Sequence, residues 1–109
     1  MNTKIEYLYR DASNYKMQNR VIVRGLLTTE QVEQIINACN ELLYFIPSQV
    51  GLPETRFPGA WTEDDHCWFE LCRGDFSATE EEETVDITAE ELYRNFINVK
   101  RWNDTCCFV

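Results

Sequence analysis

A chain of 109 residues with 44% hydrophobic side chains can bury one core but not two, and it carries too much apolar surface to stay disordered. Its net charge of −9 is uneven: residues 63–91 hold twelve acids against the single base Arg73, net −11, while the rest holds seven acids and nine bases, net +2. Such a half repels a phosphate backbone, which argues against direct nucleic-acid binding, and attracts a basic protein surface; the plainer use is a solvated face that keeps the protein in solution.

Taken in chain order, Lys4 to Arg10 alternates, with Ile5, Tyr7 and Tyr9 on one side, and predicts a strand. Asp11-Ala12-Ser13-Asn14 is turn chemistry, and Tyr15 to Arg24 is the return strand of a hairpin. Thr28 with Gln31 three residues on forms a capping box. Val32, Ile35, Ile36, Cys39 and Leu43 then line one face of a helix expected over 29–44, before Pro47. Residues 46–65 contain all three prolines yet carry Ile46, Val50, Leu52, Phe57 and Trp61, the pattern of an anchored binding loop. His66 to Cys72 predicts a third strand, with Cys67, Phe69 and Leu71 on one face and His66, Trp68, Glu70 and Cys72 on the other. After the acidic run Glu80–Glu83, a short edge strand is expected at Thr84–Ile87. A second capping box, Thr88 with Glu91, opens a helix expected over 89–101 that ends on Lys100 and Arg101.

The order β-β-α-β-(β)-α predicts a single α+β domain over 1–109. It has a three- or four-stranded, mainly antiparallel sheet and two amphipathic helices on one face. The expected core is Ile5, Tyr7, Val21, Val23, Val32, Ile35, Ile36, Leu43, Trp68, Leu92, Phe96 and Ile97.

No signal-like apolar stretch follows Met1, and no run approaches the ~20 apolar residues of a membrane span, so a cytoplasmic protein off the membrane is expected. The five cysteines are an odd number with no secretory signal and are read as reduced thiols packing as small apolar groups.

The densest functional segment is Glu63-Asp64-Asp65-His66-Cys67-Trp68-Phe69-Glu70. His66 and Glu70 share a strand face but stand two pleats apart, ~13–14 Å, too far to chelate one ion. Zinc-type cysteine spacing is missing, and Cys67, though next to His66 in sequence, diverges from it on a strand. With four glycines and no phosphate-cradling or nucleophile-elbow motif, no catalytic residue, metal site or cofactor is assigned.

Tyr9-Arg10-Asp11-Ala12-Ser13-Asn14-Tyr15-Lys16, the Val50-Gly51-Leu52-Pro53 stretch and Asp64-Asp65-His66-Cys67-Trp68 resemble segments of a group of short bacterial and phage proteins. The resemblance covers most of residues 5–70 and implies a bacterial or phage source but no activity. Relatives often carry His where this chain has Phe69, a departure that weighs against a metal or catalytic role.

The leading expectation is a non-enzymatic binding or inhibitory module acting on the basic surface of a host protein, as a phage counter-defence inhibitor would. Its partner-binding residues would be Trp61, Glu63, Asp64, Asp65, Glu80, Glu81, Glu82, Glu83 and Asp86, with a chain reversal at Gly74 gathering both acidic groups on one surface. One alternative is a small-molecule, nucleotide-like sequestering protein using Arg10, Lys16 and His66; the other is a metal or thiol enzyme centred on His66.

Overall fold

The computed structural model describes residues 1–11, 13–54 and 66–103. Strands β1 (Asn2–Arg10) and β2 (Lys16–Val23) form the hairpin, in a register that sets Ile5 opposite Val21 and Arg10 opposite Lys16. The Asp11 carboxylate turns the chain by accepting from the Ser13 and Tyr15 amides at 3.0 and 2.9 Å, and Asn14 takes the left-handed conformation that short polar residues tolerate. Alternation along β1 is complete: Thr3, Ile5, Tyr7 and Tyr9 are buried and the residues between them are half-buried.

Helix α1 (Thr29–Ala38) opens on the expected box, Thr28 and Gln31 each accepting the other's amide. It stops six residues short of its predicted end. Cys39 is already extended, and the chain turns through Glu41 and Leu42, both with positive φ, into strand β3 (Tyr44–Phe45). Leu43 repeats the helical spacing but lies in this turn, and the aromatic pair after it follows its strand preference. A 3-10 turn, Pro47–Val50, begins on the proline and closes at Gly51 with φ 89°.

The third predicted strand is shorter than expected. Only β4 (Phe69–Glu70) pairs, because the His66 ring draws the Trp68 amide to itself and Asp75 takes the Cys72 amide. Cys67 is disulfide-bonded, which corrects the reading of five reduced thiols; Cys39 and Cys72 are free. A 3-10 turn at Arg73–Asp75 leads straight into β5 (Phe76–Thr79). No strand forms at 84–87. Thr84 instead exchanges two bonds with Ile22 on the outer edge of β2: its amide donates to the Ile22 carbonyl at 2.8 Å, and its hydroxyl oxygen accepts from the Ile22 amide at 2.9 Å. Helix α2 (Ala89–Asn98) has its box at Thr88 and Glu91. It ends at the Val99 cap, so Lys100 and Arg101 follow the helix and do not complete its last turn.

The fold is α+β, with the sheet ordered β2-β1-β4-β3 and β5 continuing β4's side of β1, every strand pair antiparallel. The buried face of β1 joins Ile35 and Ile36 of α1 and Leu92 and Phe96 of α2 in one cluster with Phe45, Phe69 and Leu71. Tyr7 and Phe45 meet edge to face at 5.5 Å. Four expected core members differ. Val32, Leu43 and Trp68 are half-buried, and Ile97 is 47% exposed because it lies about 100° round the helix from Phe96. Among the described residues, no helix is long and apolar enough to cross a membrane.

Candidate functional site

The two groups of candidate residues lie at opposite ends of β1. Nine residues at about 3.3 Å each put Asn2 and Arg10 roughly 26 Å apart.

At the Arg10 end, the His66 ring sits 5.2 Å from Tyr9 with both nitrogens engaged by backbone. Nδ1 accepts from the Trp68 amide at 3.0 Å, which makes Nε2 the protonated nitrogen; it donates to the Arg10 carbonyl at 2.6 Å. The Arg10 guanidinium is spent too, holding Glu70 at 2.8 and 3.4 Å and the Asn14 side chain at 2.6 Å. Lys16 stands opposite Arg10 in the hairpin and is exposed. The structure thus gathers Arg10, Lys16 and His66 but uses two of them to fasten residues 66–70 to the hairpin. A general base or metal ligand needs a free ring nitrogen. Among the described residues, no group of three or more His, Cys, Asp or Glu side chains is placed to hold a metal ion.

Neither free thiol among the described residues is placed to favour its thiolate. Burial pushes the Cys39 thiol up to about 12, with a smaller push from Cys72. Cys72 is exposed but also raised, first by desolvation, then by Asp75 and Glu70. Neither has the cationic surroundings that stabilise a thiolate.

At the Asn2 end lies the acidic run. The expected reversal at Gly74 does not occur. β5 runs on in the direction of β4, pairing Phe76 with Ile5 and Thr79 with Asn2, and so delivers Glu80–Glu83 to the far end of β1 from His66. Trp61, Glu63, Asp64 and Asp65 lie outside the described residues.

Glu80–Glu83 and Asp86 are all exposed. Their backbone is fastened at several points: Asn2 donates to the Glu81 carbonyl at 2.9 Å, the Thr79 hydroxyl meets the Glu81 amide and carboxylate, and Thr84 is tied to Ile22. Of these five carboxylates only Glu81 has a basic neighbour in ion-pair range among the described residues, Arg20 at 3.9 Å. Glu90 and Glu91 follow in the first turn of α2. Hydrogen bonds from the Thr88 backbone and hydroxyl hold the Glu91 carboxyl below its ordinary value.

Beside this run is a feature that the sequence reading missed. A groove of about 280 Å³ opens between α1 and β5, lined by Leu26, Leu27, Val32, Thr3, Phe76 and Ala78 among others. Its one signal in the sequence is Leu26: the staple ahead of Thr28 needs only Leu27, yet a second leucine precedes it and is 55% exposed. Comparison with protein-family models, curated proteins and solved structures finds no match to this chain, so its own geometry carries the functional reading.

Proposed function

We propose that this protein is a non-enzymatic binding module that engages a basic surface of a partner protein through Glu80, Glu81, Glu82, Glu83 and Asp86. The observation that carries the reading is the anchoring of the run: five exposed carboxylates lie on a backbone tied to Asn2, Thr79 and Ile22. A solubilising tail needs no such ties. A recognition surface gains from them, because less chain entropy is lost on binding. Trp61 and Glu63–Asp65 remain candidates from sequence for a separate contact. The sequestering alternative at Arg10, Lys16 and His66 is less favoured because Glu70 already neutralises Arg10.

In its most specific form the reading is an inhibitor that covers the basic, nucleic-acid-binding face of a host factor in a bacterial cytoplasm, as in phage counter-defence. The Cys67 disulfide runs against a reducing compartment. Alkylation of thiols quenched inside cells decides that point: five labelled cysteines fit the cytoplasm, three do not.

Selection of displayed random peptides on the immobilised protein tests the binding reading. Peptides rich in Lys and Arg are expected, with affinity falling as salt rises and falling again in the variant E80K/E82K/E83K, chiefly through slower association. Selection of neutral or acidic peptides, or binding indifferent to the three reversals at low salt, sinks it.

A further inference from the structure

The sheet has more than one free flank, and the chain treats them differently. The outer side of β4 is paired by β3. The outer edge of β2 carries Lys16 and Arg20, is tied to Thr84 at Ile22, and is bridged from Arg24 to Thr88. Charged side chains and covering segments are how proteins keep strand edges from pairing with other chains. β5 has neither. Its sequence is Phe-Ser-Ala-Thr, Ser77 and Ala78 are exposed, and among the described residues β1 is its only strand partner.

The groove lies along this undefended edge. Ala78 and Phe76 pair with Thr3 and Ile5, so they belong to the face that the helices cover, and the opposite wall is formed by Val32 of α1 and by Leu27 just ahead of its cap. Leu26 stands exposed at the rim. The two ends differ in charge. At the Phe76 end, Glu33 and Arg73 close on each other at 2.8 Å. At the Thr79 end the edge runs directly into Glu80–Glu83. The volume of about 280 Å³ falls just below the ~300–1,000 Å³ typical of small-molecule pockets and suits one or two apolar side chains.

We infer that β5 accepts an extended segment of a partner protein by strand addition, with an apolar side chain of that segment in the groove between β5 and α1 and its Lys or Arg residues beside Glu80–Glu83. Alternate residues of an edge strand turn their amide and carbonyl groups outward, and an added strand pairs them while its alternate side chains face one way. Those side chains meet Leu26, Leu27, Val32 and Phe76, which supplies apolar burial, and the acidic run selects basic flanking residues. A second copy of this chain is the poorer occupant, since two molecules of net charge −9 repel. The inference rests on the binding reading above and adds to it where the segment lies.

The test uses one synthetic peptide taken from the displayed-library selection, added to the full chain. Amide hydrogen exchange should slow at residues 76–79. Leu26→Asp, at an exposed position that leaves the fold intact, and Ala78→Phe, which fills the groove, should each weaken the peptide by about tenfold or more. E80K/E82K/E83K should weaken it too while the residual complex still protects β5. A basic peptide that obeys the charge reversals but leaves residues 76–79 unprotected overturns the inference and leaves the binding reading standing. A peptide that protects β5 yet ignores the charge reversals overturns the basic-flank specificity and the binding reading together. Sedimentation showing a dimer whose β5 amides are protected without peptide overturns the inference in favour of self-association.

Discussion

His66 is a fastening. Its ring replaces strand pairing with two hydrogen bonds, to the Trp68 amide and the Arg10 carbonyl. His66→Ala leaves both partly buried backbone groups without their partner and is expected to cost about 1–3 kcal/mol in urea unfolding; a loss below the error of the measurement contradicts the assignment. Cys39 makes a pH prediction whose sign follows from burial. Its folded value is about 12 against an ordinary 9.0, so as pH rises past 9 the unfolded chain releases this proton first. Stability therefore falls through the window from 9 to 12, by up to about 1.4 kcal/mol per pH unit from this group. Tyr7, raised by burial and by Glu54 and bonded to the Pro53 carbonyl, adds to the loss from pH 10 upward. Urea midpoints between pH 8 and 10 should drop in the parent and drop less in Cys39→Val. The role of His66 could be weighed from sequence only as one of several, because a strand reading places its ring on the face shared with Trp68 and Glu70 and not against backbone. The buried state of Cys39 was legible, since it shares the apolar spacing of Ile35 and Ile36.

Helix starts were readable and helix ends were not. Thr28 with Gln31 and Thr88 with Glu91 are local side-chain-to-backbone devices, complete within four residues, so the sequence alone contains them. The end of α1 depends on partners far away: Trp102 donates to the Ala38 carbonyl at 3.0 Å, and Tyr44–Phe45 pair with β4. Those contacts, invisible to periodicity, override Leu43. The resulting turn carries a measurable conformational penalty. Leu42, 61% exposed, is held at φ 62°, a conformation that Asn accepts more readily. Leu42→Asn is expected to raise stability by up to about 1 kcal/mol. Gly51→Ala is expected to lower it by at least that amount, because φ is 89° and a β-carbon would stand 3.1 Å from Ile87 Cδ1. Gly74 has open space around it and serves as the control: Gly74→Ala should be neutral or slightly stabilising. Paired melts of the three variants check these directions, and a destabilised Leu42→Asn would show that the leucine side chain, and not its backbone, is what the turn needs.

Across the whole molecule, charge and packing act against each other. Nine net negative charges, with Glu80–Glu83 and Asp86 gathered at one end of β1, repel one another in the folded state. Modest added salt should therefore raise the melting temperature, and E80K/E82K/E83K should show a smaller rise; a parent that is destabilised by salt would place the balance with ion pairs such as Arg10–Glu70 instead. The fold class was legible because alternation in β1 and helical spacing in α1 and α2 are strong local signals. The path of residues 66–88 was not. Whether the chain reverses at Gly74 or runs on into β5 is decided by pairing with β1, some seventy residues earlier.

That pairing gives β1 an unusual history. It leaves the ribosome before every strand that pairs with it and lies inside the sheet, yet only β2 is available to it early. Its other side stays open until Phe69–Glu70 and Phe76–Thr79 have been made. Until then the nascent hairpin offers Tyr7 and Tyr9 on one face and an unpaired strand edge to whatever chain is nearby, so the most protected strand of the finished protein is the most vulnerable one during synthesis.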